Sequence, residues 1–348
     1  RGENMKDNKD RDEVLAMVKQ DGWALKDADK FLRKDKEIVL AAVKTNGSAL
    51  QYADKSLLKD REFVLAAVKK NYYALKHADE SLRKDREFVM AALKQDGSDL
   101  VYAAMIFSLA DKSLKKDKEI FMAARKKVLA ALKQDGRVLQ YADKSLKKDK
   151  EVVMAALKQD GFALEHADTS LKKDKEIVLE AVKSNGYALK YANKSLKKDK
   201  EVVMAAVKQD GWAIRYADKS LKKDREFVMA VVKEGGALEY ADKSLKKDRE
   251  IVMAAVKQNR HALQYADKSL RKDREVVMAA VKQDGVALQY ADKSLKKNRE
   301  FVMAAVKTNG SALQYADKSL LKDREFVLAA VKQSDIALPY ASELLQKD

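Results

Sequence analysis

The side chains that most often catalyse reactions or bind metals form no local cluster in this sequence. The three histidines, His77, His166 and His261, are far apart and lack the short spacing typical of a zinc site. Cysteine is absent, which excludes disulfides and cysteine-ligated metals. Acidic residues recur at regular intervals, so none is distinguished as a general acid or base. We therefore expect no catalytic, cofactor-binding or metal-binding residue, no small-molecule substrate, and a protein that is not an enzyme.

Aromatic and basic side chains, in contrast, recur at one variable position of a repeating pattern. Flat rings beside lysines can stack on the bases of single-stranded nucleic acid, and some helical-repeat proteins read RNA with two or three side chains per repeat. The alternative is structural, because exposed positions vary freely and a ring can cover the joint between adjacent repeats. The partner-binding candidates at this position are Trp23, Tyr73, Arg137, Phe162, Tyr187, Trp212 and His261.

These candidates belong to a repeat of about thirteen units, most of them 25 residues long. Each unit opens with an acidic or amide residue that can cap a helix, and Asp35 opens the unit that we take as the type. Gly47 ends the first helix because glycine readily adopts the left-handed conformation at a helix C-terminus. The apolar face of the first helix consists of Ile38, Val39, Ala42 and Val43. The apolar face of the second helix consists of Ala49, Leu50, Ala53 and Leu57.

Helices of about ten residues are only marginally stable alone, so neighbouring units must bury each other's apolar faces. The sequence therefore predicts an all-α fold, a tandem helix-turn-helix repeat solenoid with an extended binding surface. We expect a short N-terminal tail over residues 1–9 and a single solenoid over residues 10–348. At helix spacings of about 8–10 Å, thirteen units would form a rod or superhelix on the order of 100 Å long.

The units resemble a family of short tandem helical repeats described as a domain of unknown function, with the pattern D-R-E-x-V-L-x-A-V-K-x-N-G-x-A-L-x-Y-A. Asp60–Ala67 and Asn309–Ala316 carry the two parts of that pattern as they stand. The resemblance covers almost the whole chain and implies the repeat fold, but it implies no activity. Local departures from the pattern are Glu13, the shortened turn Glu234-Gly235-Gly236, Asp335 and Pro339.

Two insertions interrupt the period. The steps from Asp85 to Asp117 and from Asp117 to Asp149 are 32 residues each, so both units are seven residues longer than the type. Seven residues are nearly two helical turns, which predicts a lengthened hairpin within residues 98–136 that projects about 10 Å beyond its neighbours. The hairpin either covers its own apolar surface or docks on a partner, and we expect docking. The docking-arm candidates are Met105, Ile106, Phe107, Leu109, Val128 and Leu129.

The net charge of +17 arises from a small surplus of basic residues in each unit, which repetition multiplies into a stripe. Such a stripe attracts polyanions and acidic proteins, with an affinity that falls as salt rises. The longest apolar run, Tyr102–Ala110, is shorter than the roughly 20 residues of a membrane-spanning helix. Nothing in the sequence identifies a compartment, and a reducing compartment or an organelle interior is compatible with it.

Two functional hypotheses follow. The first is a non-enzymatic scaffold or linker protein that binds one or more partner proteins, including acidic ones, within a larger assembly, through its solenoid surface and hairpin. The alternative is a single-stranded nucleic-acid binding protein that uses the aromatic and lysine row on the second helix of each unit.

Overall fold

The computed structural model of the chain describes residues 2–96 and 99–340, with side chains from residue 10 onward. Within those ranges every regular element is a helix, so the fold is an all-α tandem-repeat solenoid, as predicted. The chain divides into two compact halves, Arg1–Ser184 and Asn185–Asp348.

Each repeat contributes a first helix, and we label these helices in chain order. The helix α1 begins at Gly2, so residues 2–9, which the sequence predicts as a tail, lie within it. In the N-terminal half the first helices are α1 Gly2–Gln20, α2 Lys36–Thr45, α3 Arg61–Lys70, α4 Arg86–Lys94, α5 Lys118–Leu132, α6 Lys150–Gln159 and α7 Lys175–Ser184. In the C-terminal half they are α8 Lys200–Gln209, α9 Arg225–Lys233, α10 Arg249–Gln258, α11 Arg274–Gln283, α12 Arg299–Thr308 and α13 Arg324–Gln333.

The first helices begin for the predicted reason, but they end differently. Asn46 closes α2 in an extended conformation, and Gly235 is the only described glycine with a positive φ, so the left-handed Gly47 was wrongly predicted. In α2, one carboxylate oxygen of Asp35 accepts hydrogen bonds from the backbone amides of Glu37 at 2.9 Å and Ile38 at 3.2 Å. These amides have no partner within the helix, so the cap stabilises its first turn. The predicted apolar face of α2 is fully buried, which confirms the helical spacing. That face consists of Ile38, Val39, Ala42 and Val43.

The predicted second helix is broken into two short segments. In the type unit a 3₁₀-helix covers Gly47–Tyr52 and a short α-helix covers Lys55–Lys59. Ala53 and Asp54 between them are extended, because the Asp54 side chain accepts from the Ser56 amide at 3.0 Å and starts a new helix. The break leaves the predicted apolar face intact. All four of its residues are buried: Ala49, Leu50, Ala53 and Leu57.

Among the described residues, the same two segments recur as short α- or 3₁₀-helices. The repeat that opens at Asp248 lacks the second segment. The segments equivalent to Gly47–Tyr52 are Gly22–Lys26, Ala74–His77, Tyr102–Leu109, Gly136–Tyr141 and Gly161–His166 in the N-terminal half, and Gly186–Tyr191, Gly211–Tyr216, Leu238–Tyr240, Ala262–Tyr265, Gly285–Tyr290, Gly310–Tyr315 and Asp335–Tyr340 in the C-terminal half. Those equivalent to Lys55–Lys59 are Leu32–Lys34, Glu80–Lys84, Leu114–Lys116, Lys144–Lys147 and Leu171–Lys173 in the N-terminal half, and Leu196–Lys198, Lys219–Lys223, Leu245–Lys247, Lys293–Lys296 and Lys318–Leu321 in the C-terminal half.

A chain of ion pairs joins successive first helices. The basic residue that begins one helix binds the aspartate that caps the next, as in Lys36 Nζ to Asp60 Oδ2 at 2.6 Å and Arg249 Nε to Asp273 Oδ2 at 2.8 Å. The hydrogen bond from Lys36, together with that from the Phe63 amide, lowers the pKa of Asp60. Each capping carboxylate therefore stabilises its own helix and aligns it with the preceding one. We call this series of pairs the cap ladder.

Other lysines are used inside each repeat. Lys222 Nζ donates to the Arg215 carbonyl at 2.6 Å and Lys246 Nζ donates to the Glu239 carbonyl at 2.6 Å, so each closes the end of a 3₁₀-helix. Burial lowers the pKa of Lys222. A lysine held in this way is part of the frame of the repeat, and it is not available to a partner.

Asn298 provides a test of the cap ladder because it stands where other repeats have aspartate. It still caps α12 through the Phe301 amide, but Arg274 pairs with Glu300 instead. We expect Asn298→Asp to raise the free energy of unfolding by about 0.2–1 kcal/mol, the value of a partly exposed ion pair, and Asp273→Asn to lower it by a similar amount. Urea unfolding measures both changes.

The stabilisation by the Asp273 carboxylate depends on pH, because both the ion pair and the cap favour its ionised form. The hydrogen bond from Arg249 lowers the pKa of Asp273 in the folded protein. The stabilisation is therefore complete above the unfolded pKa of about 3.9 and is lost as the pH falls through the lower folded value. The deficit of Asp273→Asn should shrink toward about pH 2, and a deficit that stays constant would contradict an ionic origin.

Candidate functional site

In most repeats the variable position is the second residue of the 3₁₀-helix, two residues after its cap. The Asp21 side chain accepts from the Trp23 amide at 2.9 Å, and this turn directs the side chain of the residue outward. The rings at this position keep a large exposed fraction: 44% for Trp23, 43% for Tyr73, 41% for Phe162 and 44% for Trp212. Tyr187 is half-buried, whereas Arg137 and His261 are exposed.

Three rings of this row, Trp23, Tyr187 and Trp212, also contact the tyrosine of the following repeat. Trp23 meets Tyr52 edge-on at a centroid distance of 5.7 Å, and Trp212 meets Tyr240 in the same way at 6.0 Å. The structural alternative is thus present, since each ring covers part of a joint while the rest of it faces solvent. Arg137 instead folds back on Asp135, with Nη2 to Oδ2 at 3.0 Å.

One repeat lacks this variable residue. Where other repeats place it between glycine and alanine, Gly236 is followed directly by Ala237, and the 3₁₀-helix shortens to Leu238–Tyr240. The missing side chain leaves a cleft of about 270 Å³. Trp212 on one side and His261 on the other line this cleft, so the structure brings two of the sequence candidates together. We call it the Trp212 cleft.

The two insertions produce a sideways step in the stack and not a projecting arm. Arg86 at the start of α4 pairs with Asp117, which caps α5, at 2.8 Å. The cation that pairs with Asp149, the cap of α6, is Arg125, at 2.7 Å, seven residues inside α5. The first half of α5 is therefore level with α4 and the second half with α6. The stack shifts by about 10 Å along the helix axis, the length of seven helical residues.

The expectation of exposed docking-arm residues is wrong for most of the predicted set. Phe107 and Ile106 are fully buried, and the Phe107 ring meets Phe121 of α5 at 6.0 Å. The helix Tyr102–Leu109 contacts α4, α5 and the segment Gly136–Tyr141, so a third layer covers the surface that the sequence left open. Met105 and Val128 are buried, whereas Leu109 and Leu129 are half-buried. Residue 98, where the predicted hairpin begins, lies outside the described residues.

Sequence reasoning missed a different surface, which lies along the step. Its part between α5 and α6 has a counterpart in an ordinary repeat, where Met278 and Lys282 of α11 line a groove of about 630 Å³. A groove of about 690 Å³ along α5 adjoins a groove of about 640 Å³ between α5 and α6, and Leu129 and Lys133 line both. We call the pair the step groove. Its apolar lining includes Met122, which is 49% exposed, and Met154. The available signal was that α5 contains the start of the first-helix pattern twice, from Lys118 and again from Arg125.

The step groove is basic. Lys126, Lys133 and Lys158 are exposed along it, and none of the three has an ion-pair or hydrogen-bond partner for its ammonium group among the described residues. Lys150 at the edge of the groove differs, because Asp174 and Glu176 neutralise it at 2.9 Å and 2.7 Å. The groove thus combines apolar side chains with three free cations.

The structure describes the side chains of residues 10–96 and 99–340. No group of three or more histidine or acidic side chains in these ranges could hold a metal ion. No helix described there is long and apolar enough to cross a membrane.

Comparison with known proteins concerns the repeat itself. The family model described as Domain of unknown function (DUF4116) matches residues 10–58, 60–105, 125–172, 174–222, 224–271, 259–296, 273–319 and 298–346. Most of the matched segments span about two repeats, and residues 106–124, between two of them, fall within the inserted region. No curated protein matches the chain.

The step predicts that the two insertions depend on each other. Removing both Ala104–Ala110 and Arg125–Ala131 restores two ordinary repeats, so the doubly shortened protein should retain its helicity. Removing either segment alone displaces the first helices from the segments that pack on them by two turns and exposes buried side chains. It should therefore lower the urea midpoint further than the double deletion does. Circular dichroism and urea unfolding measure this order. A double deletion that is no more stable than either single one would contradict a matched step.

Proposed function

Because the chain belongs to the family described as Domain of unknown function (DUF4116), whose repeats supply a frame without a named activity, we propose a function from the places where the frame changes. The protein is a non-enzymatic scaffold that binds an acidic, partly apolar segment of a partner protein in the step groove. The observation that carries this proposal is the exposed apolar lining of α5 beside three unpaired lysines.

The apolar lining supports a protein ligand. Met122 and Leu129 lie seven residues apart on α5, about 10 Å along the helix axis, and Met154 continues the row on α6. Methionine adapts its shape to a partner, and contiguous exposed apolar surface with a polar rim marks interaction sites. This spacing suits an amphipathic helix of the partner with apolar anchors at every second turn.

The charges indicate the sign of the partner. Most basic residues at helix starts are already neutralised by the cap ladder, as Lys36 is by Asp60. Arg125, within α5, is neutralised in the same way by Asp149 and Glu151. Lys126, Lys133 and Lys158 are not, so their charge is available to acidic side chains beside the anchors. Complementary charge of this kind favours specificity and rapid association.

Charge reversal tests the step groove. The variant Lys126→Glu, Lys133→Glu, Lys158→Glu should lose the partner that the natural protein retains in co-purification from a native extract. A designed acidic amphipathic helix should bind it about tenfold or more weakly in calorimetry, because three attractive contacts become repulsive.

The matched control changes the same number of exposed lysines outside the groove, Lys30→Glu, Lys112→Glu and Lys144→Glu. It makes the same change in net charge, so it should keep both the co-purified partner and the affinity for the acidic helix. Equal loss of binding in the two triple variants would leave only a general charge effect and would refute the groove.

The alternative, a single-stranded nucleic-acid binding protein, is favoured by the row of rings that stay 41–44% exposed in spite of their contacts with the next repeat. Such rings can stack on bases, whatever the base sequence.

Oligonucleotide binding measured across salt tests this alternative. If it holds, a single-stranded oligonucleotide binds with submicromolar affinity at low salt, and the affinity falls steeply as salt rises. Replacing Trp23, Tyr73, Phe162 and Trp212 by alanine should then weaken binding about tenfold or more, whereas the step-groove variant should weaken it much less. Absence of binding at low salt would exclude this function.

A further inference from the structure

The Trp212 cleft exists because one repeat is a residue short. In this repeat the chain turns at Glu234-Gly235-Gly236, with Gly235 at a φ of 83°. A Cβ on Gly236 would clash with Val231, so the turn requires glycine there. The turn thus maintains an opening in a row that is otherwise filled by side chains. A residue with a larger side chain at position 236 would clash with Val231, so it cannot fill this opening.

The walls of the cleft suit a flat ring. The Trp212 indole lines one side, with 44% of its surface exposed and one edge packed on Tyr240. His261 and Tyr265 line the other side. The Tyr265 hydroxyl is held by Glu239, and this carboxylate and burial raise its pKa. An opening of about 270 Å³ between such side chains accommodates one planar ring system.

The polar groups of the cleft have unused hydrogen-bonding capacity. Asn259 Oδ1 accepts from the His261 amide at 2.8 Å, but its Nδ2 group has no partner among the described residues. The side-chain amide of Gln264 has none either, although Gln51 and Gln314 at the same repeat position each donate to a backbone carbonyl. Two half-buried amides therefore face a cleft with donors and acceptors to offer.

A cation stands at the rim. Arg260 Nε donates to His261 Nε2 at 3.1 Å, and its Nη1 pairs with Asp284 at 3.0 Å. Its side chain is 61% exposed, but Asp284 neutralises the guanidinium. The site thus places a ring-binding cleft and two free amides next to one another.

From this arrangement we infer that the Trp212 cleft binds a single nucleobase, with adenine as the best match. The indole stacks on the base, and Asn259 and Gln264 read its polar edge. Asparagine and glutamine amides match the paired donor and acceptor of adenine. A phenylalanine side chain would leave both amides unused, and a tyrosine or tryptophan ring has only one polar group to offer them. The base belongs either to a free nucleotide or to a single-stranded RNA, two sources with the same recognition chemistry.

Tryptophan fluorescence tests the inference directly, because the chain has only Trp23 and Trp212. In a Trp23→Phe background, adenosine monophosphate or a short oligoadenylate should quench the emission of Trp212. Calorimetry on the natural protein should give one site per chain. Trp212→Ala should weaken this binding about tenfold or more, the usual effect of losing one stacked base, and Gln264→Ala should weaken it less.

Two matched variants serve as controls. Phe31→Ala removes an exposed ring that lies outside the row of variable residues, so it should leave binding unchanged. Insertion of one serine between Gly236 and Ala237 restores the ordinary repeat length, so it should fill the cleft and abolish binding without loss of helicity. The triple lysine variant of the step groove should bind as the natural protein does, which separates this inference from the proposed scaffold function.

The two adenine ligands identify the source of the base. If adenosine monophosphate binds as tightly as the oligoadenylate does per base, the cleft is a site for a free nucleotide. If only the oligoadenylate binds, the cleft is a site for an RNA strand. Tighter binding of N-acetyltryptophanamide than of adenosine monophosphate would overturn the inference in favour of a pocket for aromatic side chains. Binding that survives Trp212→Ala, or the absence of binding by both nucleotides, would also overturn it.

Discussion

The structure depends on a carboxylate that is shared between two repeats. An aspartate such as Asp60 caps its own helix and binds the first cation of the helix before it. The apolar faces are built from small and similar residues, mainly valine and alanine, which allow close stacking but do little to specify how far one helix slides along the next. The shared carboxylate fixes the position of one helix along the next, because a slip of one turn would separate the capping carboxylate from its cation and break the ion pair.

The candidate sites arise where this regular frame changes. In α5 the first-helix pattern starts twice, so Lys118 and Arg125 begin two overlapping copies and the stack moves sideways by two turns. In the repeat that opens at Asp224 one residue is missing, and the row of exposed side chains acquires an opening beside Trp212. Both changes leave the buried faces in phase. A repeat protein can therefore gain a local surface without losing its core.

The net charge of the chain does not show which basic residues are available to a ligand. Many lysines and arginines are engaged by the frame, either with a capping aspartate or, like Lys222, with the carbonyl end of a 3₁₀-helix. The lysines that lack such partners mark where charge can act on a ligand, and three of them line the step groove. Pairing within the fold, and not composition, decides which part of the surface is attractive to an acidic partner.

The sequence by itself determined the helical class, the period, the caps and the buried faces, since these depend on residues within a turn or two of one another. The burial of Val39 and the cap at Asp35 follow from such local spacing. Only the tertiary structure decided that the second helix breaks at Asp54, that Phe107 is covered, and that Trp212 and His261 share a cleft. Those outcomes depend on contacts with other repeats, which at the break include the hydrogen bond from the Asp54 amide to the Arg33 carbonyl at 3.0 Å. Local periodicity predicts which face of a helix is apolar, but not which neighbour covers it.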